Sequence, residues 1–127
     1  MIDIGRRAKK YQPRPFESRG DNLSANIYLS MIKSKAWENL SNNAKVLYLY
    51  MKLQLYGANT IEGHPPEDFY FNTAMITQTY KLYTNMSQFR KDRQLLIDNG
   101  FIEIIENGRF SRTKNIYRLS AKWQEIK

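Results

Sequence analysis

The sequence predicts an α+β fold, helices packed on a two- to three-stranded antiparallel sheet, and three observations carry that prediction. Between Asn72 and Leu119 two helical patterns follow one another across a short turn around Tyr80 to Tyr83. Two alternating runs, 101–106 and 115–119, then read as strands. The loop joining them, 107–114, opens on the turn signal Asn107-Gly108 and holds Arg109, Arg112 and Lys114 with almost no acid near its tip. Helix, turn, helix and basic hairpin is the order of a winged helix-turn-helix. Residues 1–22 are expected to form a basic arm and 23–127 the folded domain.

Composition limits what such a chain does. It has 127 residues, 42% hydrophobic and 13% aromatic, enough for one domain with a modest core. The net charge of +8 points to a polyanionic partner, because each cation placed on a phosphate releases condensed counterions. The absence of cysteine excludes disulfides, zinc-finger ligands and thiol chemistry. No apolar run approaches the roughly 20 residues that span a bilayer. The N-terminus, MIDIGRRAKKYQ, turns basic after four residues instead of presenting a secretory core, so a cytoplasmic protein is expected.

Taken in order, residues 1–22 show no sustained period. Arg6, Arg7, Lys9 and Lys10 cluster there, and Pro13 and Pro15 stop a helix just after them. Either this arm lies along phosphates or in a minor groove, or it is a solvated terminus. Residues 26–40 carry a short helical pattern with Ile27, Met31, Trp37 and Leu40 on one face and Ser30 or Ser34 as cap; IYLSMI also fits a short strand.

Ser41 is expected to cap a stronger helix that Gly57 ends in the left-handed region. Leu40, Ala44, Leu47, Met51 and Leu55 form its stripe, which Val46, Tyr50 and Leu53 widen, so it reads as the central core helix. The loop 58–68 is built on Gly63, Pro65 and Pro66. Its His64 reads as an ordinary surface residue, and Glu62, His64, Glu67 and Asp68 match no metal-site spacing. FYF (69–71) is expected as a strand beside the hairpin. Asn72 then caps a helix through Thr79, and Thr84 caps another through Asn99 with Gly100 as its stop.

On that last helix Met86, Phe89, Leu96 and Ile97 share one side at 100° per residue. Thr84, Ser87, Gln88, Lys91 and Gln94 lie opposite, with Arg90 on a flank, the residue types of a helix that reads base edges and phosphates from its first turns. A solvated face looks much the same. Arg93 on the apolar side and Leu95 on the polar side break the pattern: Arg93 either meets a carboxylate or lays its stem along the core. The hairpin is the more specific signal, since a one-sidedly basic tip tracks phosphates and its arginines fit a narrow A·T-rich minor groove. Ser120 is expected to cap a last turn that either brings Trp123 back to the core or offers it to a partner, core packing being the favoured reading.

The layout LSNNAKVLYLYM, FRKDRQLLIDNGFIEII, a basic turn and TKNIYRLSAKW resembles winged-helix proteins of plasmids and conjugative elements of low-GC Gram-positive bacteria. It is similar to the N-terminal domain of RepA-type replication initiators and to small accessory proteins that bind the origin of transfer in clostridial conjugation. The resemblance spans residues 26–123. It implies that the functional surfaces are the helix 84–98 and the wing 107–114, and that some members rely on the wing more than on the helix. Initiators of this type carry a further domain, and the basic run at 6–14 is outside the shared pattern.

The resulting expectation is a sequence-specific double-stranded DNA-binding protein, an accessory factor at an origin of transfer that positions a relaxase. A transcriptional regulator or replication-initiation protein is the nearest alternative, and a protein-interaction module a remote one. A homodimer or several copies on repeated sites would match a two-fold or tandem DNA site. No cofactor is implied. Catalysis is not expected either, because Asp3, Glu17 and Asp21 are the only carboxylates grouped near the arm, and no Ser-His-Asp set, phosphate loop or His pair is present.

Overall fold

The computed structural model describes residues 26–58, 60–106 and 115–127. The arm, with Arg6, Arg7, Lys9 and Lys10, and the wing tip, with Arg109, Arg112 and Lys114, lie outside the described residues.

Two single-turn helices, α1 (Leu29–Ile32) and α2 (Lys35–Glu38), occupy the first segment. Ser34 separates them: its hydroxyl donates to the Met31 carbonyl at 2.6 Å and accepts from the Trp37 N–H at 3.1 Å. One side chain thus ends the first turn and caps the second, so the Leu29–Ile32 part of IYLSMI is helical rather than a strand and Ser34, not Ser30, is the cap.

Helix α3 (Asn42–Gly57) follows, with Ser41 Oγ accepting from the Ala44 N–H as expected. Leu40, Ala44, Leu47, Tyr48 and Met51 are buried. Two expectations fail here. Gly57 is the last helical residue and is followed by extended Ala58; the glycines with positive φ among the described residues are Gly63 and Gly100. Val46 and Leu53 face outward, 42% and 38% exposed, because the core covers only one side of α3.

The sheet is antiparallel with strand order β1-β3-β2: β1 (Asp68–Tyr70), β2 (Ile102–Glu106) and β3 (Ile116–Leu119). Phe69 pairs with Tyr117 and Ile102 with Leu119, so the FYF segment joins the hairpin as predicted, one residue earlier than expected. A register shift between Ile104 and Glu106 marks a bulge, and Ile104 is 40% exposed instead of buried with its neighbours.

Between β1 and the last long helix, Asn72 Oδ1 accepts from the Met75 N–H and opens a π-helical segment, Met75–Thr79, that buries Ile76. Helix α4 (Met86–Asp98) ends at Gly100, whose φ of +79° is the left-handed stop expected there. Phe89 and Leu96 are buried, and Met86, Leu95 and Ile97 pack at the edge of the core. A 3-10 turn (Lys122–Glu125), its first N–H held by Ser120 Oγ, stacks Trp123 on Phe101 at 6.1 Å. The result is an α+β fold with a three-stranded antiparallel sheet, compatible with a winged helix. No helix among the described residues is long and apolar enough to cross a membrane.

Candidate nucleic-acid interface

All six residues expected on the α4 surface are exposed: Thr84, Ser87, Gln88, Arg90, Lys91 and Gln94. Thr84 does not cap the helix. Asn85 does, its Oδ1 accepting from the Ser87 N–H at 2.8 Å, because Asn85 is the residue in extended conformation immediately before the first helical turn. Thr84 is left on the rim of the turn.

What fixes the angle of this helix is a buried carboxylate. Asp92 sits on the inner side of α4 and accepts from the Tyr83 hydroxyl at 2.6 Å, Ser41 Oγ at 3.1 Å and Gln88 Nε2 at 3.3 Å. The start of α3, the preceding turn and α4 are tied to one group, and three donors satisfy a buried charge that would otherwise be unfavourable. Burial, together with that carboxylate, pushes the Tyr83 hydroxyl above the ordinary tyrosine range, so it stays a donor.

Arg93, one of the residues that broke the pattern, meets no carboxylate among the described residues. Its guanidinium lies 5.4 Å from the Phe89 ring centre and donates to the Tyr117 hydroxyl at 3.2 Å, joining α4 to β3. Leu95 packs on the core edge. On the outer side Arg90 reaches Ser87 Oγ at 3.4 Å and Gln94 donates to Asp98 at 2.8 Å. Gln88, shared with Asp92, has its amide oxygen still to offer. Arg90 and Lys91 supply the exposed positive charge of α4, and Asp98 opposes it only at the far end.

Sequence reasoning missed three contributors. Lys81 is exposed and holds φ at +53°, a left-handed conformation that a non-glycine residue adopts only at some strain. Asn43, Thr84 and Gln88 line a cleft of 280 Å³ between the start of α3 and the turn before α4. Asp92 falls on a helical wheel about 60° from Phe89 and about 40° from Leu96, on the apolar side. A lysine in a tight turn without glycine was a usable signal for the first, and a carboxylate on the apolar side of a helix for Asp92; nothing local announced that Asn43 would join Thr84 and Gln88 in one cleft.

A scan against protein-family models, a search of curated proteins and a search of solved structures each find no match. The chemistry of this surface is therefore carried by its own residues. Hydroxyls and amides at the start of a helix accept from and donate to base edges, and lysine and arginine meet phosphate oxygens. No group of His, Cys, Asp or Glu among the described residues forms a metal cage; Asp68, the buried carboxylate nearest to one, is taken by Arg118 Nε at 2.6 Å and His64 Nδ1 at 2.8 Å. That contact also corrects the reading of His64, which is a partly buried partner of Asp68 instead of a free surface residue.

Proposed function

We propose that this chain is a sequence-specific double-stranded DNA-binding protein of winged helix-turn-helix type. The π-helical segment is its first helix, residues 80–85 are the turn, α4 is the recognition helix, and the β2–β3 hairpin is the wing. One observation carries the reading: α4 is anchored from inside by Asp92, Phe89 and Leu96 while its outer side presents Ser87, Gln88, Arg90, Lys91 and Gln94 to solvent, with Thr84 exposed on the turn just before it. A net charge of +8 supports a polyanionic partner.

Within that class the role is an accessory factor of a plasmid or conjugative element, bound at the origin of transfer beside a relaxase. This role rests on the resemblance of the 40–51, 89–105 and 113–123 segments. Transcriptional regulation and replication initiation use the same surface and differ in which DNA site it meets. A·T-rich DNA suits a basic wing, whose narrow minor groove concentrates negative potential.

Selection of sites from a random duplex pool at about physiological salt, with affinities across a salt series, tests the proposal. A recovered motif that matches the element's own origin is expected. Salt-sensitive binding without a motif would replace it with an architectural role, and no binding would overturn it.

A further inference from the structure

A glutamine amide accepts through its oxygen and donates through its nitrogen, and a free one turns over to meet either kind of base edge. Gln88 does not have that freedom. Its Nε2 donates to Asp92 Oδ1 at 3.3 Å, one turn further along α4. A carboxylate only accepts, so reversing the amide would set two oxygens against each other. The carboxylate cannot swing away either, because it is buried and held by the Tyr83 and Ser41 hydroxyls. Ser41 Oγ already accepts from the Ala44 N–H, which leaves its proton for Asp92. Gln88 is exposed, and the atom it has left for a partner is Oε1. We infer that Gln88 reads one A·T pair as a fixed acceptor, taking the adenine N6–H while the cleft beside it takes the thymine methyl. This deepens the DNA-binding proposal and rests on it.

The chemistry of the base edges selects that pair. In the major groove the adenine N6 and cytosine N4 amines donate, whereas guanine N7 and O6 and thymine O4 accept. A lone acceptor therefore suits adenine or cytosine and is repelled by the other edges. Its surroundings decide between the two. Val46, 42% exposed, and the partly buried Leu82 line the same cleft as Gln88. Apolar side chains at a base edge contact the C5 methyl of thymine, which a C·G pair lacks. The usual glutamine contact with adenine is bidentate and engages N7 as well as N6. Here the amide nitrogen is taken by Asp92, so N7 is left unread by Gln88.

The test uses duplexes carrying the motif recovered from the random pool, with one base analogue at a time placed at each A·T pair. Purine in place of adenine removes the N6 amine and should weaken binding about three- to tenfold at one pair. Uracil in place of its thymine should cost about fourfold, the worth of one buried methyl group. At that pair 7-deazaadenine, which lacks only the N7 acceptor, should bind as well as adenine. Gln88→Ala should abolish the purine effect at that pair alone, and Val46→Ala the uracil effect. A 7-deazaadenine loss that Gln88→Ala removes would overturn the inference, as would full affinity for uracil. So would a motif in which no A·T pair is coupled to Gln88, and in all three cases DNA binding itself would stand. A chain that binds no duplex, or binds without a motif, would instead remove the sequence-specific reading and this inference with it.

Discussion

The Tyr83 hydroxyl donates to the buried carboxylate of Asp92 across 2.6 Å, joining the turn before α4 to the inner side of that helix. Ser41, 51 positions earlier than Asp92 in the chain, donates to the other carboxylate oxygen. The same pair of oxygens thereby sets how far the first turns of α4 stand out from the body. Tyr83→Phe removes one donor to a charged acceptor and leaves two, so a loss of about 1–2 kcal/mol in urea unfolding is expected. DNA affinity should fall by more than the fraction unfolded accounts for, because α4 loses its fixed angle.

Lys91 and Gln88 should separate affinity from specificity. Lys91→Ala is expected to weaken binding evenly across DNA sequences and to lower the salt slope by about 1. Gln88→Ala should relax preference at one base position, at about 1–3 kcal/mol of discrimination. Unchanged preference would assign base reading to the wing, where Arg109→Ala with Arg112→Ala should flatten the salt slope in the folded double variant.

Lys81 combines an exposed cation with a φ of +53°. Lys81→Gly relieves the left-handed strain, so the melting temperature should rise, by the equivalent of about 1 kcal/mol. The same change should weaken DNA binding and reduce the salt slope by about 1. A variant that is more stable yet binds equally well would exclude Lys81 from the interface.

Asp68 gives a pH dependence with a definite sign. Burial alone would raise its pKa, but the hydrogen bond from Arg118, then that from His64, holds it below the ordinary carboxylate value. A depressed folded-state pKa contributes stability above the unfolded value of about 3.9 and loses it as pH falls through the folded value. Urea midpoints should therefore drop on acidification below about pH 4, and by less in Asp68→Asn than in the natural chain.

Gly100 has no room for a side chain. A Cβ there would lie 2.5 Å from the Trp123 nitrogen and 2.6 Å from the Lys122 carbonyl carbon, at a φ of +79°. Both neighbours are backbone. Gly100→Ala should destabilise by at least about 2 kcal/mol in thermal or urea unfolding.

Several elements are legible in the sequence because their cause is local. Ser41 and Asn72 cap with their own side chains, Gly100 stops α4 by its own freedom, and the three aromatics of FYF favour a strand wherever its partner lies. The outward polar face of α4 was readable too, since its apolar residues share one side. By itself, then, the sequence determined the order of the elements, the starts at Ser41 and Asn72, and the side of α4 that meets solvent, while the start of α4 moved from Thr84 to Asn85 and that of β1 by one residue. The core side of α3 was readable as well, since Leu40, Ala44, Leu47 and Met51 recur as a stripe and are buried; that Val46 and Leu53, which widen the stripe, stay at the surface could be decided only by tertiary structure, because the neighbours cover one side alone. Asp92 became a core anchor for the same reason: its burial depends on Ser41 and Tyr83, which converge on it only after the chain has folded. His64 likewise left the surface because Asp68, held by Arg118 from β3, was there to receive it.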